Sequence, residues 1–254
     1  PEAGSGLAER AMLSVTQFYA GDLEAMRRTA TETVVRARES GDLRTEMLSL
    51  QALCYYHYER DDNLQALANA EAARQLAHTI GSPRFEGESI ALKAQSSPGP
   101  ALELWRDALA FSRRDAMAYI GPMVLVNVAM RCGGAAESAS LLAEAEVLLA
   151  GAAISHNHLW YHRTRIEWAL KTHDWPTAKQ HADLLEAYTV AEPVTWAQFH
   201  IDLARAFASI SGQDQTESGR RTLDTVRQHA GSLGFARVER LIRETSTKAG
   251  LAAE

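Results

Sequence analysis

Apolar residues recur at helical spacing along the chain, in segments that short polar or glycine-containing turns separate. Across residues 64–77, for example, the apolar positions lie three or four residues apart, as they do on one face of a helix. One set of turns has successive members 40, 37, 35, 40 and 39 residues apart. Its members are Gly21-Asp22, Asp61-Asp62, Pro98-Gly99, Gly133-Gly134, His173-Asp174 and Gly212-Gln213-Asp214. A period of this size is typical of two-helix repeats that stack into an array.

The pattern predicts an all-α fold, a right-handed solenoid of about six helical hairpins plus a closing helix. Residues 1–6 are expected to form a flexible leader and residues 7–254 a single repeat domain. The closing helix falls in residues 235–248, where Arg237 is expected to lie on the solvated outer face. Gly121-Pro122 predicts that the helix containing it is kinked or starts late, because proline lacks the backbone N–H that a helix interior needs.

The second hairpin shows small residues where two helices must approach closely. Cys54, Ala66 and Ala73 flank the Asp61-Asp62 turn, whose aspartates are expected to end one helix and cap the next. Bulky side chains at these three positions would push the helices apart. This unit resembles a tetratricopeptide repeat, which implies a tetratricopeptide-like solenoid built to bind other proteins.

Composition narrows the classes of partner. Apolar residues make up 46% of the chain, the net charge is -6, and Arg27-Arg28 and Arg220-Arg221 are isolated pairs and not parts of a basic stripe. Duplex nucleic acid is therefore not an expected partner, because its binders carry a basic stripe. No apolar run is long enough to span a membrane, and the two cysteines, Cys54 and Cys132, have no metal or redox spacing. We expect a cytoplasmic protein without a cofactor.

Two segments are more specific than a generic repeat. One runs from His156 to Trp175 and contains His156-Asn157-His158-Leu159-Trp160-Tyr161; the other runs from Leu185 to Trp196. Together they are similar to the C-terminal tetratricopeptide region of bacterial signalling proteins that join a class III adenylate/guanylate cyclase domain to a P-loop ATPase domain. The resemblance implies a sensory or regulatory role, with the parent's other domains among the partners. The phosphate-binding motif of such an ATPase is absent from this chain, so we expect no enzymatic activity here.

The histidines and tryptophans of residues 156–200 allow other interpretations. His158 and His162 are four residues apart and form half of a possible metal site, but no third ligand is placed beside them. Hydrogen-bonded or surface histidines are the simpler interpretation, and a pH-sensing role is a further one. Trp160, Trp168, Trp175 and Trp196 are either a ligand cage or packing residues, and their helical spacing favours packing.

The inner face of the array is the main candidate site. Aligning the repeats on their turns places six residues on the first helix of a hairpin, facing inward: Gln51, Tyr55, Tyr58, Trp160, Arg163 and Glu167. Tyrosine, tryptophan and arginine are enriched at binding hot spots, so a protein or peptide partner is expected in this concave groove. An ordinary solvated groove without a ligand is the alternative. The sequence thus favours a regulatory interaction domain of a larger signalling protein; a stand-alone adaptor or peptide sensor, and an enzyme on a helical scaffold, are the other hypotheses.

Overall fold

The computed structural model describes residues 6–151, 153–211 and 216–249. Within these ranges the chain forms thirteen α-helices and no strand, which confirms the all-α class. No helix among them has the length and apolar character needed to cross a membrane. The leader expected at residues 1–6 and the turn at 212–214 lie outside the described residues, apart from Gly6. The helices are α1 Leu7–Ala20, α2 Leu23–Ser40, α3 Leu43–Glu59, α4 Asn63–Thr79, α5 Pro83–Ser96, α6 Leu102–Asp115, α7 Met117–Ala129, α8 Ala135–Gly151, α9 His156–Thr172, α10 Trp175–Thr189, α11 Thr195–Ser211, α12 Thr216–Leu233 and α13 Ala236–Lys248.

Six of the turns share one construction, in which a left-handed residue at the end of one helix is followed by one further residue and then by the next helix. The left-handed residues are Gly21, Gly41, Asp61, Gly81, His173 and Gly234, with φ between 59° and 87°. The left-handed residue ends one helix because it directs the chain away from the helix axis. Glycine adopts this conformation without cost, whereas Asp61 and His173 adopt it despite their side chains.

The residue that follows then starts the next helix. Asp22, Asp42, Asp62 and Asp174 each accept a hydrogen bond from the backbone N–H three residues later, over 2.9, 3.0, 3.2 and 3.1 Å. Such a cap satisfies one of the N–H groups that the first turn of a helix leaves free, and it contributes about 1 kcal/mol. The predicted capping roles of Asp22 and of the Asp61-Asp62 turn are therefore confirmed.

The helices group into two compact units, Pro1–Asn157 and His158–Glu254. In the first unit every helix from α1 to α7 packs against the next one along the chain. In addition α1 contacts α3, α3 contacts α5, and α5 contacts α7. The odd-numbered helices of this unit therefore lie side by side in one layer, which we call the odd-helix layer. The prediction of one domain over residues 7–254 remains a prediction.

Small residues allow the helices of the first unit to approach closely. Ala66, Ala70, Ala73 and Ala77 follow one side of α4, and all have zero exposure. They pack with Cys54 and Leu92 at one end of this interface and with Met47 and Phe85 at the other. Burial raises the pKa of the Cys54 thiol to about 12, so this cysteine is a core residue and not a nucleophile.

Pro122 lies inside α7, which begins at Met117, so the predicted delayed start of this helix is wrong. A proline at this position cannot donate to the carbonyl of Ala118, four residues earlier. That carbonyl instead accepts from the backbone N–H of Ile154 over 3.1 Å and from Nδ2 of Asn157 over 3.3 Å. Nδ2 of the buried Asn157 also donates to the carbonyl of Tyr119 over 2.8 Å. Because Pro122 leaves the Ala118 carbonyl free, Ile154 and Asn157, near the end of the first unit, can bond to α7.

In the second unit α10 packs against α11, α11 against α12 and α12 against α13, and α9 bonds to α10 through its histidines. The closest approach is at Gly219 of α12. A Cβ atom there would lie 2.6 Å from Cγ1 of Ile210 and 2.8 Å from the carbonyl oxygen of Ala206, both on α11. The absence of a side chain at Gly219 is therefore what allows α12 to contact the backbone of α11.

We predict that Gly219→Ala lowers the free energy of unfolding of the second unit by about 1–3 kcal/mol, because a backbone carbonyl cannot move aside for the new methyl group. Gly231→Ala on the same helix is the matched control, since its Cβ would meet only the mobile carboxylate of Glu239. Both variants gain the same helix propensity, about 1 kcal/mol. Urea unfolding followed by tryptophan fluorescence measures the difference. Equal stability of the two variants would contradict the close approach.

Candidate functional site

The six residues predicted to line the groove all lie on odd-numbered helices, but most of them are buried. Gln51, Tyr58, Trp160 and Arg163 are 2–4% exposed. Tyr55 and Glu167 retain partial exposure. The buried residues contact their own chain, and the prediction that they face a concave groove remains a prediction. Tyr58 packs in the apolar core with Cys54 and Leu92, and the other five belong to two separate polar clusters, one in each unit.

The first cluster surrounds Glu88 in the odd-helix layer. Glu88 of α5 is 6% exposed, and its Oε2 accepts a hydrogen bond from the Tyr119 hydroxyl of α7 over 2.8 Å. Gln51 and Tyr55 of α3 also bond to this carboxyl group. Nε2 of Gln51 reaches Oγ of Ser89 over 3.1 Å as well. We call Gln51, Tyr55, Glu88 and Tyr119 the Glu88 cluster; it ties three neighbouring helices together through polar side chains.

The Glu88 carboxyl group gains or loses its proton near neutral pH. Burial raises the pKa of this carboxyl group to about 7, while the Tyr119 hydrogen bond and the charge of Arg84 oppose that rise. Burial and the neighbouring carboxylate also raise the pKa of Tyr119, so its hydroxyl stays a donor. A proton can therefore bind or leave Glu88 within the physiological range.

The second cluster surrounds Glu167 and joins the three odd-numbered helices of the second unit. Glu167 of α9 accepts from Nε of Arg163 on the same helix over 2.7 Å and from Nη2 of Arg237 of α13 over 3.1 Å. Nε2 of His200 of α11 lies 3.4 Å from Oε1 of Glu167. Trp196 completes this Glu167 cluster through its carbonyl, which accepts from Nδ1 of His200 over 3.0 Å.

Two indole rings hold the Arg163 guanidinium in place. Its central carbon lies 4.7 Å from the ring centre of Trp160 and 5.1 Å from that of Trp196. Cation–π contacts of this kind gain strength in a desolvated site. Trp160 and Trp196 are thus packing residues that also stabilise a buried charge, whereas Trp168 is 36% exposed.

The charges of Arg163 and Arg237 keep the Glu167 carboxyl group ionised. Burial acts to raise its pKa, but the charges of Arg163 and Arg237, with the His200 hydrogen bond, hold the pKa well below the ordinary value. Arg237 was expected on the solvated face of the closing helix, and that prediction is wrong. It sits in the first turn of α13, where its side chain is 14% exposed and reaches inward to Glu167.

Two of the histidines, His162 and His181, pair with each other. Nδ1 of His162 and Nδ1 of His181 are 3.0 Å apart, and Nε of Arg165 donates to Nε2 of His181 over 3.1 Å. Because Nε2 of His181 accepts, a neutral His181 carries its proton on Nδ1 and donates it to His162. His158 stacks on Tyr188 with ring centres 4.3 Å apart. In the described part of the chain, no group of three or more histidine, cysteine or acidic residues is arranged to hold a metal ion.

Sequence reasoning missed Glu88, Tyr119, His200 and Arg237. Arg44 and Arg84 are 40 residues apart, and each is the second residue of its odd-numbered helix, α3 or α5. This repeated position is a signal in the sequence that could have directed attention to the surface of the first unit. Nothing comparable connects Glu167 with Arg237, which is 70 residues away in sequence.

The chain was also compared with known proteins. No protein-family model matches it, and searches of the curated proteins and of the solved structures found no match either.

We predict that Glu167→Gln lowers the free energy of unfolding of the second unit by about 3–5 kcal/mol, because it leaves two buried arginines without their carboxylate. Asp224→Asn removes an exposed partner of Arg227 in the same unit and should change the free energy by less than about 0.5 kcal/mol. Four of the five tryptophans, Trp160, Trp168, Trp175 and Trp196, lie in this unit, so fluorescence-detected urea unfolding reports on it. Similar losses in both variants would show that the cluster is not what stabilises the unit.

We predict that the histidine pair destabilises the second unit as the pH falls. Burial, with nearby Arg165 and the other histidines, lowers the pKa of His162 to about 4 and that of His181 to about 3. The unfolded chain therefore binds more protons below about pH 6.5, and stability falls between pH 6.5 and 4.5 by about 2 kcal/mol per histidine. The double variant His162→Asn, His181→Asn should show a shallower dependence. Parallel pH profiles of the wild type and this variant would contradict the prediction.

Proposed function

We propose that this chain is a protein-interaction module, a right-handed tetratricopeptide-like solenoid of about six helical hairpins that binds a protein or peptide partner on its odd-numbered helices. The observation that carries the proposal is the odd-helix layer of the first unit. Its helices contact one another directly, so side chains from α1, α3, α5 and α7 form one continuous surface. Tyr19, Tyr55 and Tyr119 are partly exposed there, and Arg44 and Arg84 are exposed. These residue types favour partner binding.

The polar clusters support binding over catalysis. The Glu88 cluster offers hydrogen-bond donors and one carboxyl group, and the Glu167 cluster pairs one carboxylate with two guanidiniums. Neither places a nucleophile beside a base, which acid–base or covalent catalysis would require. A layer of helices cross-linked by buried polar side chains is instead suited to presenting a surface to a partner.

We further propose that the module is the sensory or regulatory part of a larger bacterial signalling protein with nucleotide-cyclase and ATPase domains, acting in the cytoplasm. The support is the resemblance over residues 156–196. In-frame cyclase and P-loop ATPase domains in the coding sequence upstream of Pro1 would support the proposal. A start codon just before Pro1 would favour a free-standing adaptor or peptide sensor that uses the same surface.

We predict that peptides selected from an unbiased random library on the immobilised chain bind the odd-helix layer with micromolar dissociation constants. Photo-crosslinking groups on those peptides should label α1, α3, α5 or α7, because these helices share one accessible surface. Leu64→Glu is the control, since Leu64 is 75% exposed on α4 and its replacement should leave binding intact. A library that yields no binder, or crosslinks confined to the even-numbered helices, would refute the proposal.

A further inference from the structure

Two arginines converge on one aromatic ring in the odd-helix layer. The guanidinium carbon of Arg44, at the start of α3, lies 5.7 Å from the ring centre of Phe85, and that of Arg84, at the start of α5, lies 5.0 Å from it. Arg84 also stacks on Tyr119, 4.0 Å from the ring centre. The rings limit the motion of both side chains and leave the guanidinium edges to solvent, since both arginines are exposed. This arrangement prepares their N–H groups to bind an anion.

The positive charge here is not neutralised by a salt bridge. Within the part of the chain that the structure describes, neither Arg44 nor Arg84 forms an ion pair, whereas Arg38, Arg74, Arg113 and Arg205 all do. The charge of Arg84 acts on the buried Glu88, one turn later on α5, and that of Arg44 acts on Asp42, which caps α3. In a chain with a net charge of -6, this surface is a local exception that is complementary to an acidic ligand.

Tyr119 connects the two arginines to the Glu88 cluster. Its ring lies beneath the Arg84 guanidinium, and its hydroxyl donates to Glu88 over 2.8 Å. One side of the Arg84 guanidinium is therefore exposed to solvent. Its other side contacts Tyr119, which bonds to the buried carboxyl group of Glu88. An anion that draws the guanidinium outward changes the surroundings of Glu88 directly.

We propose that Arg44 and Arg84 bind an acidic segment of a partner protein, and that this binding is accompanied by the uptake of a proton at Glu88. The proposal rests on the interaction function proposed above and specifies its partner. Alternate side chains of an extended peptide lie about 7 Å apart, so two carboxylates of one segment can engage two guanidiniums that flank a single ring. The acidic segment replaces Glu88 as the counter-charge of Arg84, and the buried carboxylate then binds a proton from solvent.

The direction of the pH dependence follows from this exchange. The free chain has a Glu88 pKa of about 7, which the charge of Arg84 holds down. When a bound carboxylate neutralises Arg84, the pKa of Glu88 rises in the complex. Affinity is therefore highest at pH 6, where Glu88 is protonated in both states, and falls as the pH rises above 7. A rise of one unit in the pKa corresponds to about a tenfold loss of affinity at high pH.

The other groups around Glu88 do not titrate in this range. Tyr55 and Cys54 of α3 and Tyr119 of α7 have pKa values raised by burial, so they stay protonated. Burial lowers the pKa of His156, whose ring lies 5.4 Å from that of Tyr119, to about 4, so it stays neutral. Gln51 has no ionisable group. Among these groups on α3, α5, α7 and α9, Glu88 is therefore the one with a pKa near neutrality.

The first experiment measures binding of fluorescein-labelled hexaglutamate to the full chain, with hexaglutamine as the uncharged probe. We expect hexaglutamate to bind and hexaglutamine not to bind. The substitution Arg84→Ala should raise the dissociation constant for hexaglutamate about tenfold. Arg44→Ala should also weaken binding. Arg28→Ala, Arg36→Ala on α2 is the matched control, because both arginines are exposed and form no ion pair among the described residues. Equal binding of the two probes, or equal loss in the control, would overturn the acidic-segment site.

The second experiment tests the proton at Glu88. Calorimetry in two buffers with different ionisation enthalpies should show net proton uptake by the wild type at pH 7.5 and none by Glu88→Gln. Tyr119→Phe keeps the ring under Arg84 but removes a donor to the carboxylate, so the midpoint of its pH profile should move upward. Proton uptake that persists in Glu88→Gln, together with an unchanged midpoint in Tyr119→Phe, would overturn the coupling.

The outcomes separate this inference from the general proposal. Peptides that crosslink to the odd-helix layer but are not enriched in acidic residues would overturn the inference and leave the interaction function standing. A single-stranded oligonucleotide that binds Arg44 and Arg84 more tightly than hexaglutamate does would overturn the protein partner in favour of nucleic acid.

Discussion

Each reversal of the chain at Gly21, Gly41, Asp61, Gly81 and His173 depends on one residue in the left-handed conformation, and the residue after it begins a new helix. This constraint fixes where helices end, and therefore how long they are. The helices α2, α3 and α4 between these turns have 18, 17 and 17 residues, and α1, α3 and α5 contact one another side by side. This part of the odd-helix layer is thus favoured by turn geometry and not only by any single attractive contact.

Adjacent helices that share a layer must also satisfy the polar groups buried between them. The two units do this differently. In the first unit, the buried Glu88 carboxyl group accepts hydrogen bonds from neutral donors, and one charge, that of the exposed Arg84, acts on it. The pKa of Glu88 is therefore about 7. In the second, two arginines contact the carboxyl group directly, and it remains ionised. Removing a partner from the second cluster therefore leaves a buried charge, whereas the first cluster can change its charge without losing a partner.

The sequence predicted the secondary structure well because the turns carry their own local chemistry. Asp22 and Asp62 cap helices, and Gly21 and Gly41 end them, for reasons contained within four or five residues. Burial depth is not local in this sense. Gln51 and Arg163 were assigned to the correct helices, yet their exposure depends on Phe85, Ser89, Trp196 and Arg237, which distant segments supply. A repeat alignment gives the face of a helix but not what covers it.

Pro122 shows how a departure from the repeat can be structural. Its missing N–H leaves the Ala118 carbonyl free, and Ile154 and Asn157 bind there. Asn157 then holds the carbonyl of Tyr119, the residue that lies between Arg84 and Glu88. The backbone of Tyr119 is therefore fixed from one side, while its ring and hydroxyl contact groups on the other. In the proposed coupling, Tyr119 is the residue through which a change at Arg84 reaches Glu88, and the bonds from Asn157 restrain its main chain during that change.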